Sequence, residues 1–526
     1  MDPEPSGVLA ADRLSRLGDA VLGHILSFLP AVEAARASGL SRRWRHVFAA
    51  VHTLTFREEA KPRDPYSDDY GDSGWSRNSD DSGRHQARTV ALPFADAVSA
   101  ALHARHGRPH STVSLRGLRI EFGGSERAAS AVALDWWLQY VARQAAAIGE
   151  LHVDLRLGQG PICARGYSLR RRSPSPPRRR HPLAPPPACD SPSSPYAPPR
   201  SLLHCAALRS LRLESCRLDT PGAAALPSLG TLHLTRVADV RRAGGSAIQR
   251  LVSACPRLAD LTLEACGDLT KLSILSPCLR RLALNCCHEL AAVVIAADSP
   301  ELQRFEYSGP MPGPWFQAAH RPRRISSCMV NFCGDEAMDP TNLARLREFL
   351  LPFAGAANLR IKSARLGAGV GHGVLSSAPE LPCFHALRHL ELTGMLTEDD
   401  VTTIAGVAKM LEGTPILETM SLLFMPSPEE GHLRAAHKLS YNPYAKLAVP
   451  EGAGIACLRE TTREINLVYY QGETAQRMLA KFLLGNARVV GEVYCEFASG
   501  PLFTQTKLME EITGWVLNKS ANMVFY

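Results

Sequence analysis

With 526 residues, 45% hydrophobic, 21% charged and 6% aromatic, the chain has globular composition and room for several domains, which excludes a mostly disordered, collagen-like or disulfide-scaffold protein. The net charge of +8 is local: residues 161–200 hold eight Arg against one Asp, a sum of +7, so the rest sums to +1 and no spread-out nucleic-acid face is expected. No apolar run reaches the ~18 residues of a membrane span, and MDPEPSGVLAADR places acids and prolines where a signal peptide needs positive charge, so an intracellular protein, nuclear or cytoplasmic, is expected.

Residues 12–56 read DRLSRLGDAVLGHILSFLPAVEAARASGLSRRWRHVFAAVHTLTF. Leu22, Ile25, Leu26 and Leu29 follow the i, i+3, i+4, i+7 spacing of an amphipathic helix, capped by Asp19 and ended by Pro30. A second helix is expected from about Glu33 to Leu40 and a third from Ser41 through Trp44 to Phe48. So small a unit has little core of its own and usually needs a partner surface. The ordered DRLS, ILSFLP and LSRRW segments resemble a plant F-box, assigned to residues 10–56. One departure is Gly18, where the family usually has proline, which loosens the helix start by about 1 kcal/mol. The resemblance implies docking on a Skp-type adaptor, carried by a cullin scaffold, through Leu14, Leu17, Val21, Leu22, Ile25, Leu26, Leu40 and Trp44. Some of these must also form the unit's core.

Residues 57–89 are acidic, rich in Ser, Gly and Asp and short of aliphatics, and read as a disordered linker between separately folded parts. Residues 90–160 begin an α/β repeat region. Trp136, Trp137, Tyr140, Val141 and Ile148 suit a helix, with the tryptophans as core, and Leu151, Val153 and Leu155 alternate as a strand. Twelve of the forty residues at 161–200 are proline, so an extended flexible insert is expected, with helix and central strand excluded. It reads as a surface loop, with an SH3-type, nuclear-import or RNA-contacting role as the alternative.

Repeats dominate residues 201–450. Leu208-x-x-Leu211-x-Leu213-x-x-Cys216-x-Leu218 returns as Leu258, Leu261, Leu263, Cys266 and as Leu279, Leu282, Leu284, Cys287. Weaker copies start at Leu229, Leu302, Leu387 and Leu417. This is the leucine-rich-repeat pattern, with a short strand at each LxL and a chain turn at the Cys. Inward leucines leave the alternating residues on the other face. Ser210, Arg212, Glu214, Thr231, His233, Thr235, Asp260, Thr262, Glu264, Arg281, Ala283 and Asn285 are therefore the candidate contacts for a protein target. The fourteen cysteines include no CxxC pair. Cys286, Cys287, His288 and Glu289 are adjacent and cannot all converge on one ion, so no metal site is expected.

Residues 451–526 resemble the FBD region that follows the repeats in many plant F-box proteins, through Cys457-Leu458-Arg459-Glu460, a strand at 464–469, Tyr470-x-Gly472 and a helix ending at 480–487. Val489, Val493 and Phe497 suit a further strand, and Leu508, Ile512, Trp515 and Val516 a last helix. Residues 457–526 are expected to cap the array. Gly367, Gly369, Gly371 and Gly373 form a loop, not a dinucleotide fingerprint, because His372 breaks G-x-G-x-x-G. No catalytic motif is found, so no enzyme and no cofactor is expected. The fold class is α/β: a small helical F-box, an irregular leucine-rich-repeat solenoid and an α/β C-terminal cap. The function expected from the resemblance is substrate recognition in an SCF-type ubiquitin ligase. The alternatives are a nuclear RNA-associated or scaffold protein acting through the Arg/Pro insert, and an adaptor-binding protein that serves no ligase.

Overall fold

The computed structural model describes residues 16–58, 94–106, 115–122, 131–158, 161–163, 167–170, 195–318, 325–337, 340–367, 381–396, 401–426, 438–449 and 455–526, less interruptions at 38, 146–148, 220–224, 240–244, 296–300 and 312–315. Two compact units result, residues 1–160 with 195–229, and residues 161–194 with 230–526.

In the first unit, helices α1 (Asp19–Leu26), α2 (Ala31–Ala37) and α3 (Arg42–Val47) lead into strand β1 (Thr53–Arg57). Gly18, not Asp19, is the N-cap of α1, and it brings no side-chain cap. Asp19 instead accepts a 2.9 Å hydrogen bond from Arg43, tying the start of α1 to α3. Ser41 caps α3 by accepting from the Trp44 N–H at 3.4 Å. Gly23 lets α1 approach the turn at Phe48–Ala50, since a Cβ there would lie 2.7 Å from the Ala50 carbonyl carbon.

Strand β1 pairs in parallel with β2 (Gly117–Glu121), β2 with β3 (Leu151–Arg156) and β3 with β4 (Leu208–Glu214). Their inward residues Leu54, Phe56, Leu118, Ile120, Val153, Leu155, Leu211 and Leu213 are buried. Helices α4 (Phe94–His106) and α5 (Ala131–Ala145) pack on each other, with the buried Trp137 donating to Ser99 at 3.1 Å. Trp136 is only half-buried and stacks on His103 and Tyr140, while Ile148 lies outside the described residues. This arrangement overturns the expectation of a linker between separately folded parts. The end of the helical segment is itself a strand of the following sheet, because Val51-x-x-Leu54-x-Phe56 has the apolar frame of a repeat with only one of its leucines. Residues 59–89 of the expected linker lie outside the described residues.

In the second unit a parallel ladder runs through β5 (Thr231–Thr235), β6 (Asp260–Glu264), β7 (Arg281–Asn285), β8 (Arg304–Gly309), β9 (Ser327–Phe332), β10 (Asn358–Arg365), β11 (His389–Met395), β12 (Thr419–Phe424), β13 (Glu464–Tyr470), β14 (Glu492–Phe497) and β15 (Asn522–Phe525), each paired with the next. A second small parallel sheet joins residues 271–274, 292–295 and 316–318. Helices α6 (Ala247–Ser253), α7 (Pro340–Leu350) and α8 (Val401–Glu412) occupy connections between strands.

The repeat turns differ from expectation. In both units the left-handed residue is the one before the cysteine position: Ser215, Arg236, Ala265 and Cys286 have φ of 56°, 50°, 51° and 55°. The cysteine that follows is inward: Cys216 and Cys266 are fully buried and donate to strand carbonyls, and Cys287 does so to Leu263 and Asn285 at 3.6 and 3.7 Å.

The 161–200 segment is also not wholly irregular. Residues 167–170 form a strand parallel to residues 334–337, and Arg200 opens a helical turn. Its proline run begins only at Pro174, so Tyr167-Ser168-Leu169-Arg170 is free to donate to a ladder. Residues 171–194 lie outside the described residues, as do 368–380 with most of the glycine cluster.

The C-terminal region continues the ladder. Strand β13 falls in register on β12, with Thr419 opposite Glu464 and Leu422 opposite Leu467. Helix α9 (Thr474–Leu484) buries Met478, Leu479, Phe482 and Leu483, and β14, helix α10 (Leu502–Trp515) and β15 follow. Arg477 of α9, buried, makes a bidentate pair with Glu511 of α10 at 2.6 and 2.9 Å and donates to the Asn442 carbonyl at 2.6 Å. Tyr441 stacks on that guanidinium at 4.7 Å, so residues 438–449 are pinned to both helices. Gly472 turns at φ +76° against Leu508, where a Cβ would meet a methyl at 2.7 Å.

Candidate functional site

Helix α1 has two apolar faces. Leu22 and Leu26 are buried against α3 and the turn after it, beside Val47, Phe48 and Val51. The other face is open: Val21 and Ile25 are exposed, and the row continues through Phe28 at 76% exposed, Leu29 and Val32. Leu40 is 74% exposed, and Leu17 and Trp44 are half-buried. The expected docking set therefore splits. Leu22 and Leu26 are core and are corrected out of it; Val21, Ile25 and Leu40 reach solvent; Leu14 lies outside the described residues. Phe28, Leu29 and Val32 were missed, although Ile25, Phe28, Leu29 and Val32 keep the i, i+3, i+4, i+7 spacing. Clustered large apolar side chains facing water mark an interaction surface.

The strand faces opposite the leucines are polar in both units. In the first, Arg212 and Glu214 of the expected set, with Ser210, are half-buried, and Asp154 lies 3.8 Å from Arg212, 3.2 Å from Arg119 and 3.0 Å from Arg156. Glu121 extends this network to Arg57 at 3.1 Å. Arg57, Arg119 and Glu121 were missed because their strands carry Phe and Ile where leucines were sought, and Asp154 and Arg156 because their strand, though expected, was not counted among the repeats.

In the second unit Thr231, His233, Asp260, Thr262, Glu264 and Asn285 are half-buried and Arg281 is exposed. Thr235 and Ala283 are buried, which removes them as contacts. Thr235 points instead at Glu264, donating at 2.9 Å, while His233 and Asn285 reach the same carboxylate at 2.8 and 3.2 Å. Burial raises the Glu264 pKa, but the bonds from His233, Asn285 and Thr235 outweigh it and hold the group down to about 2. Farther along, Asn331 donates to Ser308 and Asn466 to Ser421, both at 3.1 Å.

Comparison with known proteins decides the family. The F-box domain family matches residues 14–53, and the family described as "FBD-associated F-box protein At5g56370, LRR repeats" matches residues 188–328. The chain is a plant-type F-box protein with leucine-rich repeats. FBD-associated F-box protein At4g10400 of Arabidopsis thaliana is 25% identical over 337 residues, 62% of this chain and 68% of that protein. F-box/LRR-repeat protein At3g59200 of the same plant is 46% identical over 59 residues, 10% of this chain and 11% of that one. Coverage varies: one relative is matched over 94% of its length at 23% identity, another over 42% at 26%.

The F-box match closes at Thr53, the first residue of β1, so the motif includes both apolar faces of α1. In the repeats of this F-box protein Cys287 turns inward, away from its neighbours Cys286 and His288. Yet Cys286 and His288 come together with Cys163 and Cys333, all four ligand atoms within 4.8 Å of one another. No metal site was expected from the run 286–289 by itself; the grouping arises because residues 163 and 333 are brought to it by the fold. Among the described residues no helix is long and apolar enough to cross a membrane.

Proposed function

We propose that this F-box protein is a substrate-recognition subunit of an SCF-type ubiquitin ligase, acting in the nucleus or cytoplasm. The F-box docks a Skp-type adaptor and through it a cullin, and the polar strand faces hold a protein target. The observation that carries this reading is the open row Val21, Ile25, Phe28, Leu29 and Val32 on helices whose opposite residues, Leu22, Leu26, Ala31 and Ala34, already complete the core. Such a face gains by being covered, at about 25 cal/mol for each Å² of apolar surface removed from water. Leu40 and the half-buried Leu17 and Trp44 border the same helices. The chain itself is a non-catalytic receptor in this scheme: every part named above binds, and the chemistry belongs to other subunits, which this one serves by proximity.

Affinity purification of the full chain tests the proposal directly. Adaptor and cullin are expected with the native chain and lost with Ile25→Asp or Phe28→Asp, because docking would then desolvate a charge, at a cost of several kcal/mol. Undiminished recovery of the adaptor with both variants would refute the docking face. A bound partner left monoubiquitylated or polyubiquitylated only by the native chain would place it on the target side.

A further inference from the structure

We propose that Cys163, Cys286, His288 and Cys333 form a tetrahedral zinc site that fastens the start of the Arg/Pro-rich segment to the repeats. Each ligand is set by its own piece of backbone. Cys286 occupies the left-handed turn position after β7, at φ 55°. His288 sits in the next turn, closed by the Leu290 N–H donating to the Cys287 carbonyl at 3.1 Å. Cys333 follows β9 directly, with its N–H donating to the Gly309 carbonyl at 2.8 Å. Cys163 arrives from 125 residues away, held near Cys333 because the strand at 167–170 pairs with 334–337, Tyr167 opposite Gly334.

The geometry fits the ion. A tetrahedron with Zn–S of about 2.3 Å and Zn–N of about 2.0–2.1 Å has sulfur–nitrogen edges of about 3.6 Å and sulfur–sulfur edges of about 3.8 Å. The Cys163 Sγ to His288 Nε2 distance is 3.6 Å, and every other ligand pair lies within 4.8 Å, so the cluster closes on zinc with small side-chain movements. Three thiols and one imidazole, with Cys286 buried and the others half-buried, suit Zn²⁺ and leave no fifth position for chemistry. Binding releases the three thiol protons to solvent, and no oxidant or reductant is involved.

The test is metal analysis of the full chain, purified under reducing conditions and dialysed. About one zinc per chain is expected, falling below about one in ten for Cys163→Ser combined with Cys333→Ser. Cys287→Ala, whose thiol faces the repeat interior, should keep its zinc. Should the double variant fail to fold, cobalt(II) added to the metal-stripped native chain provides the second readout. It should give the intense visible bands of tetrahedral thiolate coordination, bleached by one equivalent of zinc. A metal-free native chain, zinc retained in the double variant, a Cys286–Cys333 disulfide in the purified protein, or octahedral cobalt bands would each overturn the site.

Discussion

Glu264 shows what one side chain contributes to a repeat face. Its carboxylate gathers His233, Thr235 and Asn285 from β5 and β7 onto the central strand β6. Glu264→Gln removes a charged acceptor and strands its donors, so a loss of about 1–3 kcal/mol is expected, read as a lower denaturation midpoint with unchanged slope. The pH dependence has a definite sign. The folded-state pKa, about 2, lies below the ordinary 4.5, so the contribution is complete above pH 4.5 and fades as pH falls from there towards 2. The native chain and the Gln variant should therefore converge in stability over that acid window. A constant gap would show that the carboxylate's charge is not what holds the three donors.

Helix α1 separates spacing from environment. Its apolar positions were legible from the sequence, but its end was not, since the helix stops at Leu26 with Ser27 as C-cap, four residues before the expected Pro30, and neither was the choice of positions that form the core. Leu22 and Leu26 are buried because α3 and the turn at Phe48–Ala50 lie over them, a tertiary fact that helical periodicity does not contain. Leu26→Asp, at a position expected from the sequence to dock the adaptor, should instead unfold the F-box, since it buries an unpaired charge. Ile25→Asp, one residue away and exposed, should leave the far-ultraviolet circular dichroism and melting temperature within error of the native chain. Equal melting of the two variants would contradict the face assignment. The repeats divide in the same way. Strands β4, β6 and β7 were legible because leucines mark them, whereas β1, β2, β9 and β10 carry Phe, Ile, Cys and Val in the same apolar frame and were passed over. The cysteine cluster was illegible for a different reason: its spacing exists only after three segments, at 163, 286–288 and 333, have folded together.

At the scale of the molecule, each unit is closed by strand addition. In the second, β12 is covered by β13 in register, and truncation before Cys457 would uncover the β12 edge and free the partners of Leu417, Met420 and Leu422. Residues 90–456 should therefore aggregate and digest faster than 90–526. A truncated fragment that stays monomeric and melts like the longer one would show that the C-terminal strands are dispensable. In the first unit, removing residues 1–58 takes away Leu54 and Phe56, each contributing about 1.5–3 kcal/mol by burial, and leaves the β2 edge open. A cut at Ala60 alone should leave both pieces together through size-exclusion chromatography, since main-chain hydrogen bonds along β1 and β2 join them.

That β1–β2 pairing also decides how a docked adaptor would be aimed. A receptor whose docking helices hang on a tether samples many orientations, and lengthening the tether dilutes the cargo at the far end. Here the connection from the proposed docking face to the sheet passes sideways through the ladder, from β1 to β2, Thr53 opposite Gly117. The F-box is thus held to the sheet by the β1–β2 pairing itself, a fixed bracket and not a pendant.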